Sequence, residues 1–215
     1  MDMRIYLLIS TNGCSIVSQI HQEFLMTPNR CQYEKILREY QGKDLIADLP
    51  ELLLAFWQDD YRRTHGISEM VLVHLDGEGS SFTYLFDTTR QRVVGSAGLP
   101  TFVKHKRDKG RMAGHPLANS ETYDRGHLLA HSLGGGADIN LVPQLSKVNR
   151  GGFRRIERLV LDLASRNVQC VYFVRPDYPV ESVPADEKLS QLPMYIEQGV
   201  VGTSRVLTYD LFKNN

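Results

Sequence analysis

The chain has little of what most quickly classifies a protein. Its 3 cysteines, Cys14, Cys31 and Cys170, are scattered and odd in number among 215 residues. That excludes a disulfide framework or a multi-cysteine zinc cluster and leaves them as small apolar fillers. No apolar run approaches the roughly 18 residues of a membrane helix, so no membrane partner is expected. The opening "MDMRIYLLIS" has a short apolar patch, with Asp2 and Arg4 before it, and no small-residue cleavage site, so no signal peptide is expected either. There is no internal repeat, no low-complexity tract and no net charge, since 25 Lys and Arg balance 25 Asp and Glu. With 42% hydrophobic and 23% charged residues, the composition fits one globular domain, alone or with an appendage.

The zero net charge conceals a segregation. Residues 88–166 hold 14 Lys and Arg against 6 Asp and Glu; residues 1–87 hold 7 against 13, and residues 167–215 hold 4 against 6. A basic middle between acidic flanks points to an anionic partner, nucleic acid first, or to a solvated surface balanced by its neighbours. Charge alone leaves both open.

Thr27-Pro28 offers a hydroxyl N-cap and a proline at the first helical position, predicting a helix to Tyr40. A second helix is expected from Asp48-Leu49-Pro50 to His65-Gly66, with Leu52, Leu53, Phe56 and Trp57 on its apolar side. "EMVLVHL" (69–75) and "SFTYLFD" (81–87) around "DGEG" read as a β-hairpin, and "QRVVGS" (91–96) as a third strand. Residues 104–126 read as a long basic loop. "SKVNRGGFRRIERLVLDLASRN" is helical, with Phe153, Ile156, Leu159, Val160 and Leu163 at helical spacing. "VQCVYFV" (168–174) and "RVLTYDLF" (205–212) are strands with a Pro-rich loop between them. Residues 1–65, mostly helical and acidic, form an expected accessory segment before an α+β domain over 66–215. Their role is open between docking, delivery and a cap on a basic cleft.

One stretch, "YDRGHLLAHSLGGGADINLVPQ" (123–144), mixes histidines, acids, an arginine and three glycines. "GHLLAH" reads as a strand with His127, Leu129 and His131 on one face. The glycines form a turn, "INLVPQ" is extended, and the helix follows. This order delivers His127, Asn140, Asn149 and Glu157 from adjacent elements. Asn149, Phe153 and Glu157 step by four and are expected to share a helix side. H-x-x-x-H without a following Glu is not the zinc-protease motif, and the glycines lack the Gly-Lys-Ser/Thr ending of a phosphate loop. No G-x-S-x-G elbow occurs. What remains is a hard cation on oxygen ligands beside a neutral histidine that takes a proton from water. In a basic setting the natural electrophile is a phosphodiester. The bland readings are a structural His127, Asn149 as an N-cap, and Glu157 paired with Arg154 or Arg158.

"DRGH" (124–127), "NLVPQ" (140–144), Asn149 and Glu157 at these intervals resemble the DNA/RNA non-specific endonucleases, which belong to the ββα-metal, or His-Me finger, nucleases. The likeness is nearest to their short bacterial branch of toxin domains and DNA-uptake nucleases. It covers residues 90–175 well, the C-terminal strands loosely and residues 1–65 not at all. It implies a ββα-metal core on an antiparallel sheet, preceded by the helical segment. It implies His127 as general base and Asn149 as direct Mg²⁺ ligand, with Mn²⁺ as the alternative ion. Glu157 would hold water beside the ion or buttress the site. Asn140 would orient the His127 ring by a hydrogen bond, and Asp124 and Arg125 would brace the loop or touch phosphate. The family's upstream arginine has four candidates, Arg90, Arg92, Arg107 and Arg111. Arg107 or Arg111 is preferred because the basic loop leads into the motif, and Arg154 is a further phosphate contact.

The expectation is metal-dependent, sequence-tolerant cleavage of DNA, with RNA as a further substrate. Delivery as an antibacterial toxin would add an inhibitor or immunity protein as partner. The chain would then be cytoplasmic in its producer and exported by a dedicated secretion system. The rival is a catalytically silent nucleic-acid-binding or interaction module with the same fold.

Overall fold

A computed structural model describes residues 2–7, 30–77, 80–102, 121–136, 139–180 and 191–214, with backbone alone at 2–7 and 76–77. The expected helix start at Thr27-Pro28 and residues 104–120 of the expected basic loop, with Arg107 and Arg111, lie outside the described residues; the end of that loop is instead strand from Tyr123.

The elements in chain order are β1 (Asp2–Leu7), α1 (Arg30–Glu39), α2 (Leu45–His65), β2 (Met70–Gly77), β3 (Ser80–Asp87), β4 (Arg92–Leu99), β5 (Tyr123–His127), β6 (Leu141–Leu145), α3 (Ser146–Val148), a π turn (Asn149–Phe153), α4 (Arg154–Ser165), β7 (Val171–Asp177), β8 (Tyr195–Val201) and β9 (Val206–Lys213). The fold is α+β. β1, β2, β3, β4, β7, β8 and β9 form one antiparallel sheet in that order, and β5 with β6 forms a separate hairpin.

Strand alternation splits the interior into two cores. Along β2, Val71, Val73 and Leu75 enter one core, while Met70 and Leu72 enter the other. Along β7, Tyr172 and Val174 join the first, and Val171 and Phe173 the second. The first core is completed by Leu128, Leu129 and Leu133 after β5, Val142 of β6, and Val148, Phe153, Ile156 and Val160 of the helix that follows. The second is completed by Tyr33 and Ile36 of α1 and Leu49, Leu53, Trp57 and Tyr61 of α2. Gly95 of β4 makes room for the fully buried Trp57, since a Cβ there would sit 2.4 Å from the indole. Thus α1 and α2 cover one face of the sheet and the hairpin-helix unit covers the other. The two helices are not a cap on the hairpin side.

Several expectations shift. Helix α2 begins at Leu45, earlier than expected, because Asp44 caps it by accepting from Ala47 N–H (3.2 Å). Pro50 then falls inside the helix, where it forgoes one backbone bond. β1 and β8 were not foreseen. β1 adds a strand to the sheet from within the N-terminal segment. Leu159, expected on the apolar stripe, is exposed.

Candidate active site

In the hairpin, Asp124 lies opposite Gln144, Gly126 opposite Val142 and His127 opposite Leu141. The fully buried Gln144 side chain occupies the place a side chain at 126 would need: a Cβ there would be 2.1 Å from Gln144 Oε1. Packing therefore dictates the glycine of DRGH. Alternation puts Arg125 and His127, both half-buried, on the other hairpin face.

The strand ends at His127, not at His131. Leu128 N–H donates to Asn140 O (2.8 Å) and Leu129 N–H to Asn140 Oδ1 (2.8 Å). Asn140 Nδ2 donates to the carbonyls of Leu129 and Gly136 (2.7 Å each). The first bond carries the ladder's register one residue past His127, and the Asn140 side chain then takes both backbone groups of Leu129. Leu128, Leu129 and Ala130 are all buried, and His131–Leu133 forms a 3-10 turn ended by Gly134 at φ 92°. The shared strand face of His127, Leu129 and His131 is thus overturned. Both amide hydrogens of the buried Asn140 go to main-chain carbonyls, so Asn140 braces the turn that follows His127.

Asp124 stands where β6 runs into the helix. Its carboxylate accepts four hydrogen bonds: from Ser146 Oγ (3.0 Å), Asn149 Nδ2 (3.0 Å), Arg150 Nε (2.9 Å) and an Arg150 terminal nitrogen (2.7 Å). Partial burial alone would raise its pKa. The hydrogen bonds from Arg150, Asn149 and Ser146 outweigh that and hold the carboxyl below its ordinary value. A carboxylate offers about four lone-pair directions, so Asp124 is saturated by these donors. The amide nitrogen of Asn149 points at Asp124, so its carbonyl oxygen faces away from it.

The π turn settles which residues share a helix side. At about 3.6 residues per turn, positions 149 and 157 of a plain α-helix would stand roughly 80° apart. The π turn inserts one extra residue, leaving about 20°. The buried residues follow the same correction: Val148 and Phe153, five apart, both enter the core, and Ile156 and Val160 continue the stripe. Phe153, expected between Asn149 and Glu157 on one side, is fully buried while those two are half-buried. Glu157 lies over β7: burial and then its negative charge push the ionisation of the Tyr172 hydroxyl far up.

The donor set around the π turn is compatible with a hard cation. Among the described residues no three His, Cys, Asp or Glu side chains converge as a cage. Asn149 offers a single amide oxygen, with the Glu157 carboxylate on the same helix side. That suits a hard ion that keeps most of its water, as Mg²⁺ does.

Residues 73–189 match the DNA/RNA non-specific endonuclease family. The chain belongs to this family. The matched span contains the hairpin, Asn149 and Glu157, and it excludes α1 and α2. No curated protein matches the chain. Among solved structures, it is similar to metal-free NucA from Streptococcus agalactiae, at 14% identity and TM-score 0.48, covering 74% of this chain and 89% of that one.

In this endonuclease, two of the upstream arginine candidates face the wrong way. Arg92 is buried with its guanidinium 4.3 Å from the centre of the Tyr178 ring and its Nε donating to Tyr61 of α2 (2.8 Å). Arg90 donates to Asp87 (3.4 Å) and to the His65 carbonyl (2.8 Å). Both serve the helical face. Arg154 is exposed in the first turn of α4, three residues before Glu157. The sequence reading missed Arg150, Ser146 and the π turn. Two adjacent glycines inside an amphipathic helix were the available signal, since Gly pairs relax helical register.

Proposed function

We propose that this endonuclease hydrolyses phosphodiester bonds of DNA without sequence preference, and RNA as a second substrate, with a divalent cation at Asn149. The observation that supports the reading is the saturated Asp124: it takes the Asn149 amide nitrogen, leaving the amide oxygen facing away from that carboxylate, on the unit that also holds His127. His127 takes the proton of the attacking water on a ring nitrogen. Asn140 fixes the turn behind it. Arg125, on the His127 face, and exposed Arg154 attract the phosphate backbone; Arg107 or Arg111 clamps the phosphate. Glu157 supports the cation side of the site. The cation, Mg²⁺ or Mn²⁺, would supply stabilisation of charge developing on phosphate and leaving oxygen. Binding through phosphates makes activity fall with salt.

The test incubates supercoiled plasmid, and separately structured RNA, with the protein in Mg²⁺ or EDTA. Nicking and linearisation in Mg²⁺ alone is expected. Intact plasmid under every condition, with retained DNA binding, would favour the silent nucleic-acid-binding module. Use as a delivered toxin would appear as death of cells expressing the chain, relieved by His127→Ala.

A further inference from the structure

Arg150 stands immediately after Asn149, inside the π turn, with a largely exposed side chain (72%). An exposed arginine next to a cation ligand is unexpected, since like charges repel. Its geometry resolves this. Nε and a terminal nitrogen grip the two oxygens of Asp124 at 2.9 and 2.7 Å, a side-on fork. The same carboxylate takes the Asn149 amide at 3.0 Å. The wider winding of a π turn lets two successive residues reach one acceptor, where a plain α-helix would splay them by about 100°.

We propose that Arg150 is a positioning residue: its fork fixes Asp124, and the fixed Asp124 sets the Asn149 amide with its oxygen toward the cation. The proposal rests on the nuclease reading given above. Without the fork, Asp124 regains two free lone pairs and a rotatable carboxyl. It then competes for the cation or lets the Asn149 amide turn. Lysine keeps the charge but cannot form the side-on pair. A side chain so exposed can be replaced with little risk to folding.

The experiment uses the full chain as wild type, Arg150→Ala and Arg150→Lys, with three readouts, one of them the kcat and KM of DNA cleavage. Mn²⁺ affinity is measured from free-ion EPR. The Asn149 side-chain NH₂ signals are followed by NMR without metal. Arg150→Ala is expected to weaken Mn²⁺ binding by about tenfold, the scale for a group that orients a ligand. Its Asn149 NH₂ signals should lose their dispersion and slow exchange. Arg150→Lys should fall between, and kcat should drop with KM for DNA nearly unchanged. Wild-type Mn²⁺ affinity and an unchanged amide in Arg150→Ala would overturn the proposal. So would a rise confined to KM for DNA, which would make Arg150 a phosphate contact. A wild type that neither binds Mn²⁺ nor cuts would sink the nuclease reading, while the metal-free amide signals would still decide whether Arg150 holds Asn149.

Discussion

Asp124 and Glu197 are both acids met by an arginine and neutral donors, on opposite sides of the seven-stranded sheet, and their protons behave in opposite ways. Asp124 is partly solvated, and its four donors hold it ionised. Glu197 is 1% exposed beneath α1. Burial pushes its carboxyl up to about 7, against the opposing pull of Arg175 and the Tyr33 hydroxyl. Asp177 of β7 and Asp60 of α2 add negative charge, and Tyr209 of β9 also faces it. Arg175 is shared, since it also pairs with Asp60. One shared cation does not offset the burial of Glu197. Solvent, more than the count of partners, decides the sign. The wet face carries the proposed site, and the dry face ties the helices to the sheet.

The sharpest way to break this contrast is to remove a group from each side. Asn149→Ala should lower cleavage by about a thousandfold, the worth of several kcal/mol of charge stabilisation, with the melting temperature unchanged. A large fall in Tm with normal cleavage would merge the two faces. Arg175→Met should do the reverse. Leaving Glu197 in the core without its cation should cost about 3–5 kcal/mol and about 10 °C in Tm, with cleavage per folded molecule preserved.

A subtler test is pH. Glu197 binds its proton more tightly folded than unfolded, where a glutamate titrates near 4.3. Its contribution is therefore full below about pH 4.3, declines as pH rises to about 7, and is flat above. Thermal melts at pH 5, 6, 7 and 8 should show Tm of Glu197→Gln rising relative to wild type up to about pH 7. Parallel curves would contradict the buried-acid account. The smallest effect is expected at the surface. Arg155→Ala loses an exposed ion pair with Asp210 (2.7 Å) and should move Tm by no more than about 2 °C.

Much of this was legible in the sequence because the signals were local. The hairpin β2–β3 and the order of strand, turn, strand and helix around DRGH could be read from alternation and turn residues. What stayed hidden depended on tertiary partners. β8 carries Glu197, Gln198 and Gly199 in its centre, polar and small residues that a strand pattern disfavours but that the buried cluster and the Phe173 ring accommodate. β1 offered a short apolar patch whose sheet partner lies some 70 residues away. The end of β5 at His127 depends on Asn140, which captures the next residues by bonds no periodicity reveals. The helix side shared by Asn149 and Glu157 was inferred from a step of four. It is reached through the π turn, with Phe153 pointing into the core.

The central claim, that His127 supplies the base, is tested most directly by plasmid cleavage with His127→Ala, with and without added imidazole. The variant should cut about 10²–10⁴ times more slowly than wild type at unchanged Tm, and imidazole should restore part of the rate. Cleavage by His127→Ala at the wild-type rate would contradict the account.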